Sequence, residues 1–265
     1  MCLLHAKPFA STSTNSAARS SARSDPDFPP FVVPASSGFR MTTLHLNLIG
    51  HGPIDVTVDH LVIAGWTGRD AQAVEHHIAE LEAIGVARPA RVPCFYRVSA
   101  SLLTTDATVE IPGADSSGEA EFVLYSTPMG LLVGIGSDHT DRKVEAYGVT
   151  VSKQMCAKPV SRDVWRFEAL ADHWDSLQMK TWRTRDGQTA LYQEGGVTRM
   201  LDPRDLIRRY TGNDTLPVGT AMFCGTQPII GELGFGEAFD MALIDPVSGT
   251  ELRHRYAVDT LPVEG

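Results

Sequence analysis

The stretch Gly118-Glu-Ala-Glu-Phe-Val-Leu-Tyr125 decides how the rest of the chain is read. Its second half is apolar and β-prone, and its first half carries two acids at i and i+2. Successive side chains of a strand alternate between faces, so Glu119 and Glu121 point the same way, about 7 Å apart along the chain. Like charges held side by side are stabilised by a shared cation, and hard oxygen donors suit Mg²⁺, Mn²⁺ or Ca²⁺. A solvated strand edge is the ordinary alternative, and the pair taken alone does not exclude it.

Working outward, Ser137-Asp-His-Thr-Asp-Arg142 follows the apolar strand Leu131 to Ile135 and packs a carboxylate, an imidazole, a hydroxyl, another carboxylate and a guanidinium into one short loop. Loops after strands are where rigid scaffolds carry their chemistry. Lys153 and Gln154 close what reads as another strand, Tyr147 to Ser152, and a lysine there can bind a substrate carboxylate or enolate oxygen. Upstream, the spacing Ala73, Val74, His77, Ile78, Leu81, Ile84 predicts a helix starting at an Asp70 cap and stopping at Gly85. His77 and Glu80 then share a helix face, the arrangement of a general base that activates water, or else of a surface ion pair. The pattern lacks the second histidine of an HExxH metalloprotease.

Alternation across Gly50 to Pro53 predicts a hairpin over Thr42 to Val58, followed by a strand at His60 to Gly65. Short strands are expected at Cys94 to Val98, Thr108 to Ile111, Thr220 to Cys224 and Phe239 to Ile244, with a second helix from Asp202 to Tyr210. Cys94 and Cys224 read as buried in strands, Asp172 to Asp175 as a turn, and His254 as surface. With no internal repeat or interior linker, residues 41–265 are expected to form a single α+β domain with few helices and a large mixed or antiparallel sheet system. The first 40 residues, rich in Ser, Ala, Arg and Pro, read as a disordered extension, either dispensable or a targeting segment.

The chain has 265 residues, 43% of them hydrophobic, enough for a sizeable core without disulfide staples. Its formal net charge of −9 and pI near 5.4, with no Lys/Arg block, argue against a nucleic-acid partner. Four widely spaced cysteines fit a reducing cytoplasm, and no apolar run approaches the length of a membrane span.

In this order the motifs resemble the catalytic domain of the fumarylacetoacetate hydrolase superfamily. His77-Ile-Ala-Glu80 fits its H-x-x-E helix, Glu119-Ala-Glu121 its E-x-E strand, and Asp138-His-Thr-Asp-Arg142 its D-x-[ST]-x-R turn. Pro93 to Ser101 resembles the P-v-l-f-x-K-p-s-s segment with Arg97 for lysine. Lys153 suits the family lysine, Gln193 the hairpin glutamine after Asp186-Gly187, and Thr226 the T-G-T-P-like loop, which reads Cys-Gly-Thr-Gln here. The resemblance implies a mixed β-sandwich or roll, usually a homodimer. It implies Mg²⁺ (or Mn²⁺ or Ca²⁺) on Glu119, Glu121 and Asp138, and His77 with Glu80 activating water. Lys153, Arg97, Arg142, Gln193 and Thr226 would hold the oxygens of a small oxo-acid or 1,3-dicarbonyl substrate. The implied reaction is hydrolysis through a metal-stabilised enolate, with decarboxylase, dehydratase or isomerase chemistry or a non-catalytic binder as alternatives. A short segment between Glu121 and Asp138 leaves a second register open, with Lys153 in the third ligand's place and Lys158 as the substrate lysine. These departures imply a divergent bacterial subfamily.

Overall fold

In a computed structural model of the chain, residues 41–83 and 88–264 are described; the expected N-terminal extension and the Gly85 helix stop lie outside them. Strands β1 (Thr42–Leu48) and β2 (Gly52–Val58) form the expected hairpin, and β3 (His60–Gly65) follows. Helix α1 (Ala71–Ala83) begins where Asp70 accepts hydrogen bonds from the backbone of Gln72 and Ala73 at 2.9 and 3.1 Å. Next come β4 (Cys94–Val98), β5 (Thr108–Pro112), β6 (Ala120–Thr127) and β7 (Gly130–Ser137). Two short helices, α2 (Arg142–Glu145) and α3 (Val149–Gln154), precede β8 (Asp163–Arg166) and α4 (Phe167–Leu170). The hairpin β9 (Gln178–Arg185) and β10 (Gln188–Gly196) leads to α5 (Pro203–Thr211), which has Asp202 as its cap and Pro203 in its first turn. Strands β11 (Thr220–Thr226), β12 (Ala238–Asp245) and β13 (Thr250–Leu261) complete the chain; the last had no counterpart in the sequence reading.

The strands form an eight-stranded mixed sheet, ordered β2-β1-β8-β7-β6-β11-β3-β4, and a five-stranded sheet, β10-β9-β12-β13-β5. Residue parity explains the layering. Ala120, Phe122 and Leu124 on one face of β6 join Met179, Tyr192, Phe239 and Met241 of the second sheet in the core between the sheets. Val123 and Tyr125 on the other face pack with Leu44, Leu46, Ile63 and Phe223, where β2 curls back over β6. The larger sheet is therefore a half-barrel with apolar side chains on both faces, and the fold is mostly β with few helices. No helix among the described residues is long and apolar enough to cross a membrane.

The segment Tyr147 to Ser152 is a correction. Its run of β-branched residues suggests a strand, yet Val149–Gln154 is helical, starting from an extended Gly148 and packed against β4 and α2. Tertiary packing overrides the propensity here. Two smaller expectations also change: Cys94 is partly exposed, and His254 on β13 is partly buried.

Candidate metal centre

Glu121 belongs to the central strand β6, paired with Gly136 of β7 and Thr226 of β11. Gly136 has no room for a side chain, because a Cβ there would come within 2.8 Å of Phe223 and 2.9 Å of Val123 and Val160. Glu119, two residues earlier, lies on the same face. Asp138 follows β7, its backbone N–H donating to Glu119 O at 2.9 Å, so adjacent strand ends bring the third acid to the pair. Oxygens of Glu119, Glu121 and Asp138 all lie within 4.8 Å of one another.

These carboxylates sit in a nearly closed polar cluster. Glu121 and Asp138 are 3% and 0% exposed. The Gly225 N–H donates to Glu121 at 2.7 Å, from a backbone φ of +104° that only glycine adopts readily. Burial, reinforced by Asp138, raises the Glu121 carboxyl well above the usual carboxylate range. Burial also pushes Asp138 up, but Lys153 and Lys158 reverse this and leave its pKa low. Lys153 Nζ donates to Asp138 Oδ2. Lys158, fully buried, has its ammonium 3.4 Å from Asp138 Oδ1 and donates to the carbonyls of His139, Lys153 and Cys156 at 2.6, 2.6 and 3.0 Å. Burial lowers its pKa, whereas Lys153, though also buried, is held above its ordinary value by Asp138 and Glu119.

Arg142 Nη2 forms an ion pair with Glu119 at 3.0 Å without hydrogen-bond geometry, while Nε and Nη1 donate to Ser117 and Glu145 at 2.6 and 2.9 Å. Burial opposes its charge, but Glu119 and Glu145 hold it in place. Behind the acids, His139 bridges Ser116 at 2.7 Å and Tyr256 at 3.0 Å, and the Tyr256 hydroxyl donates to Ser137 at 2.8 Å. Burial lowers the His139 pKa to about 3, so the imidazole is neutral.

Not all the expected site residues meet here. Glu119, Glu121, Asp138, Arg142 and Lys153 do. Gln193 and Thr226 are adjacent, but their polar atoms serve the scaffold: Gln193 accepts from Ala120 N at 3.0 Å and donates to Thr226 Oγ1 and Gln227 O, both at 2.7 Å. Thr226 in turn donates to Ala120 O at 2.8 Å. Arg97 is not brought to the cluster; it is exposed and lies 2.6 Å from His60. Strand alternation turns its neighbour Tyr96 inward instead, with the ring 5.8 Å from Lys153 Nζ. The backbones of His77 and Glu80 lie on α1, and their side chains are outside those described.

Tyr96 has a close role in the cluster that the sequence reading did not assign it, and Lys158, the substrate lysine of the second register, also lies against Asp138. The period-2 pattern of β4 would have pointed to Tyr96. The Tyr96 hydroxyl, its pKa pushed up to about 12 chiefly by burial, bonds with Trp66, a bulky residue held at φ +60°. Trp66 also walls a cavity of about 280 Å³ bounded by Arg69, Val74, Ile78, Pro93 and Leu201.

Three carboxylates at this spacing, two of them buried and Glu119 partly so, fit a hard divalent cation, since ligands on opposite sides of Mg²⁺ or Ca²⁺ stand roughly 4–5 Å apart. Solved structures with the same fold include that of Cg1458 (TM-score 0.55, 13% identity, covering 77% of each chain). Another is 2-keto-3-deoxy-D-arabinonate dehydratase complexed with magnesium and 2,5-dioxopentanoate (TM-score 0.53, 13% identity, covering 77% of this chain and 73% of that one). No curated protein matches in sequence. Residues 64–256 match the family described as "Protein of unknown function (DUF2848)". The chain therefore belongs to the DUF2848 family, and its fold is that of the fumarylacetoacetate hydrolase superfamily proteins.

Proposed function

We propose that the protein is a divalent-metal-dependent enzyme acting on a small oxo-acid or 1,3-dicarbonyl metabolite, with hydrolysis as the leading reaction. The convergence of Glu119, Glu121 and Asp138 within 4.8 Å carries this reading. A cation held there supplies Lewis acidity toward a substrate's paired oxygens and favours enolate character. Arg142 fixes the Glu119 carboxylate, Gly225 fixes that of Glu121, and Lys153 presents a positive charge to substrate oxygens beside Tyr96. His77 and Glu80 are assigned to proton transfer from water on the strength of their spacing along α1.

Dehydration is the second reading, favoured by the dehydratase of like fold whose complex holds magnesium and 2,5-dioxopentanoate. A homodimer remains the proposed assembly. Calorimetry with Mg²⁺ and Mn²⁺ on wild-type protein and Glu119→Ala tests the centre: binding to the first and loss in the second are expected. No binding to the wild type refutes the centre. Product analysis on a panel of acylpyruvates and 2-oxo-3-deoxy acids separates cleavage from loss of water. Unchanged turnover in His77→Ala removes that residue from the mechanism.

A further inference from the structure

Cation and lysine have overlapping claims on one carboxylate. Glu119, Glu121 and Asp138 face three buried or nearly buried positive groups, Arg142, Lys153 and Lys158, so positive charge is already in place beside every one of these acids. The three positive groups are held very differently. Lys158 is locked by three backbone carbonyls, and Arg142 by Ser117, Glu119 and Glu145. Among the described residues the Lys153 side chain hydrogen-bonds only to Asp138, and Glu119 and Glu121 add to the negative charge around its ammonium. It reaches the cluster from the last turn of the short helix α3, with the Tyr96 ring on its other side. A divalent ion shared by the three carboxylates needs an Asp138 oxygen and adds two positive charges to a buried site, which is costly unless one resident charge retreats.

We propose that Lys153 and a divalent cation compete for Asp138, so that Lys153 sets the affinity of the centre and is shifted by cation binding toward the side walled by Tyr96 and Trp66, where substrate oxygens are met. This rests on the metal reading above. Lys153 is then a positioning and tuning residue for the centre as well as a substrate contact.

Two measurements test it. Opposite charges within about 4–6 Å shift a carboxylate's proton equilibrium by roughly 1–3 units, so removing the Lys153 charge should tighten Mn²⁺ binding by about 10-fold to 1,000-fold. Calorimetry on Lys153→Met against wild type reads this directly. The second needs no variant: wild-type protein carrying ¹⁵N-lysine is titrated with Mg²⁺. The chain has five lysines, and among those described only Lys153 and Lys158 are buried, so their ammonium signals stand apart. A Lys153 signal that moves with the calorimetric midpoint supports the competition. Mg²⁺ binding that leaves it in place, or Lys153→Met binding Mn²⁺ no tighter than wild type, overturns the competition while the metal centre stands. Absence of binding in both proteins overturns the two together.

Discussion

Replacing Gln193 by leucine tests how the acidic strand is held. The Gln193 side chain is 1% exposed and ties three strands with its amide: β10, which carries it, β6 through Ala120 N, and β11 through Thr226 Oγ1 and Gln227 O just beyond. Leucine fills much the same volume but leaves the Ala120 N–H and the Gln227 carbonyl without these partners. Each buried polar group so stranded costs about 1–3 kcal/mol, giving a loss of roughly 2–6 kcal/mol. At about 2–4 °C per kcal/mol for a domain of this size, Tm should fall by roughly 4–24 °C. Since Ala120 lies between the two glutamates, Mn²⁺ affinity should fall as well. Calorimetric melting and a Mn²⁺ titration of Gln193→Leu are to be compared with Gln188→Leu, an exposed position on the same strand expected to change stability by about 0.5 kcal/mol or less. Equal melting temperatures for the two variants would refute the clamp.

Gly225→Ala should be strongly destabilising, because the new Cβ meets Thr67 Oγ1 at 1.9 Å and the φ of +104° is strained for alanine. A loss of about 2–6 kcal/mol is expected in urea denaturation, and adding Thr67→Ala should recover only the steric part. Acid stability follows from His139, whose imidazole burial holds at about 3 while an unfolded histidine titrates near 6.5. On acidification the unfolded chain takes up this proton first, so the contribution is fully present above pH about 6.5 and lost as pH falls toward 3. The loss amounts to at most about 4–5 kcal/mol. Urea midpoints measured between pH 7 and 4 should fall less steeply for His139→Gln than for wild type, and parallel slopes contradict the assignment.

Local pattern alone placed Glu119 and Glu121 on one face, because strand alternation is a property of neighbouring residues. It likewise placed the Asp70 cap of α1, the β1–β2 hairpin and the Pro203 start of α5, all signals confined to a few positions. Motif order carried the reading as far as the superfamily fold. What tertiary structure decided was non-local. Asp138 meets the glutamates because β6 and β7 pair in a register that brings their ends together, and Lys158 because backbone carbonyls surround it. The same packing turned Val149–Gln154 into a helix against its β-branched composition and aimed Tyr96, rather than Arg97, at Lys153. Gln193 and Thr226, expected as substrate contacts, spend their hydrogen bonds on strand backbone, because buried polar groups must be paired before they can serve a ligand.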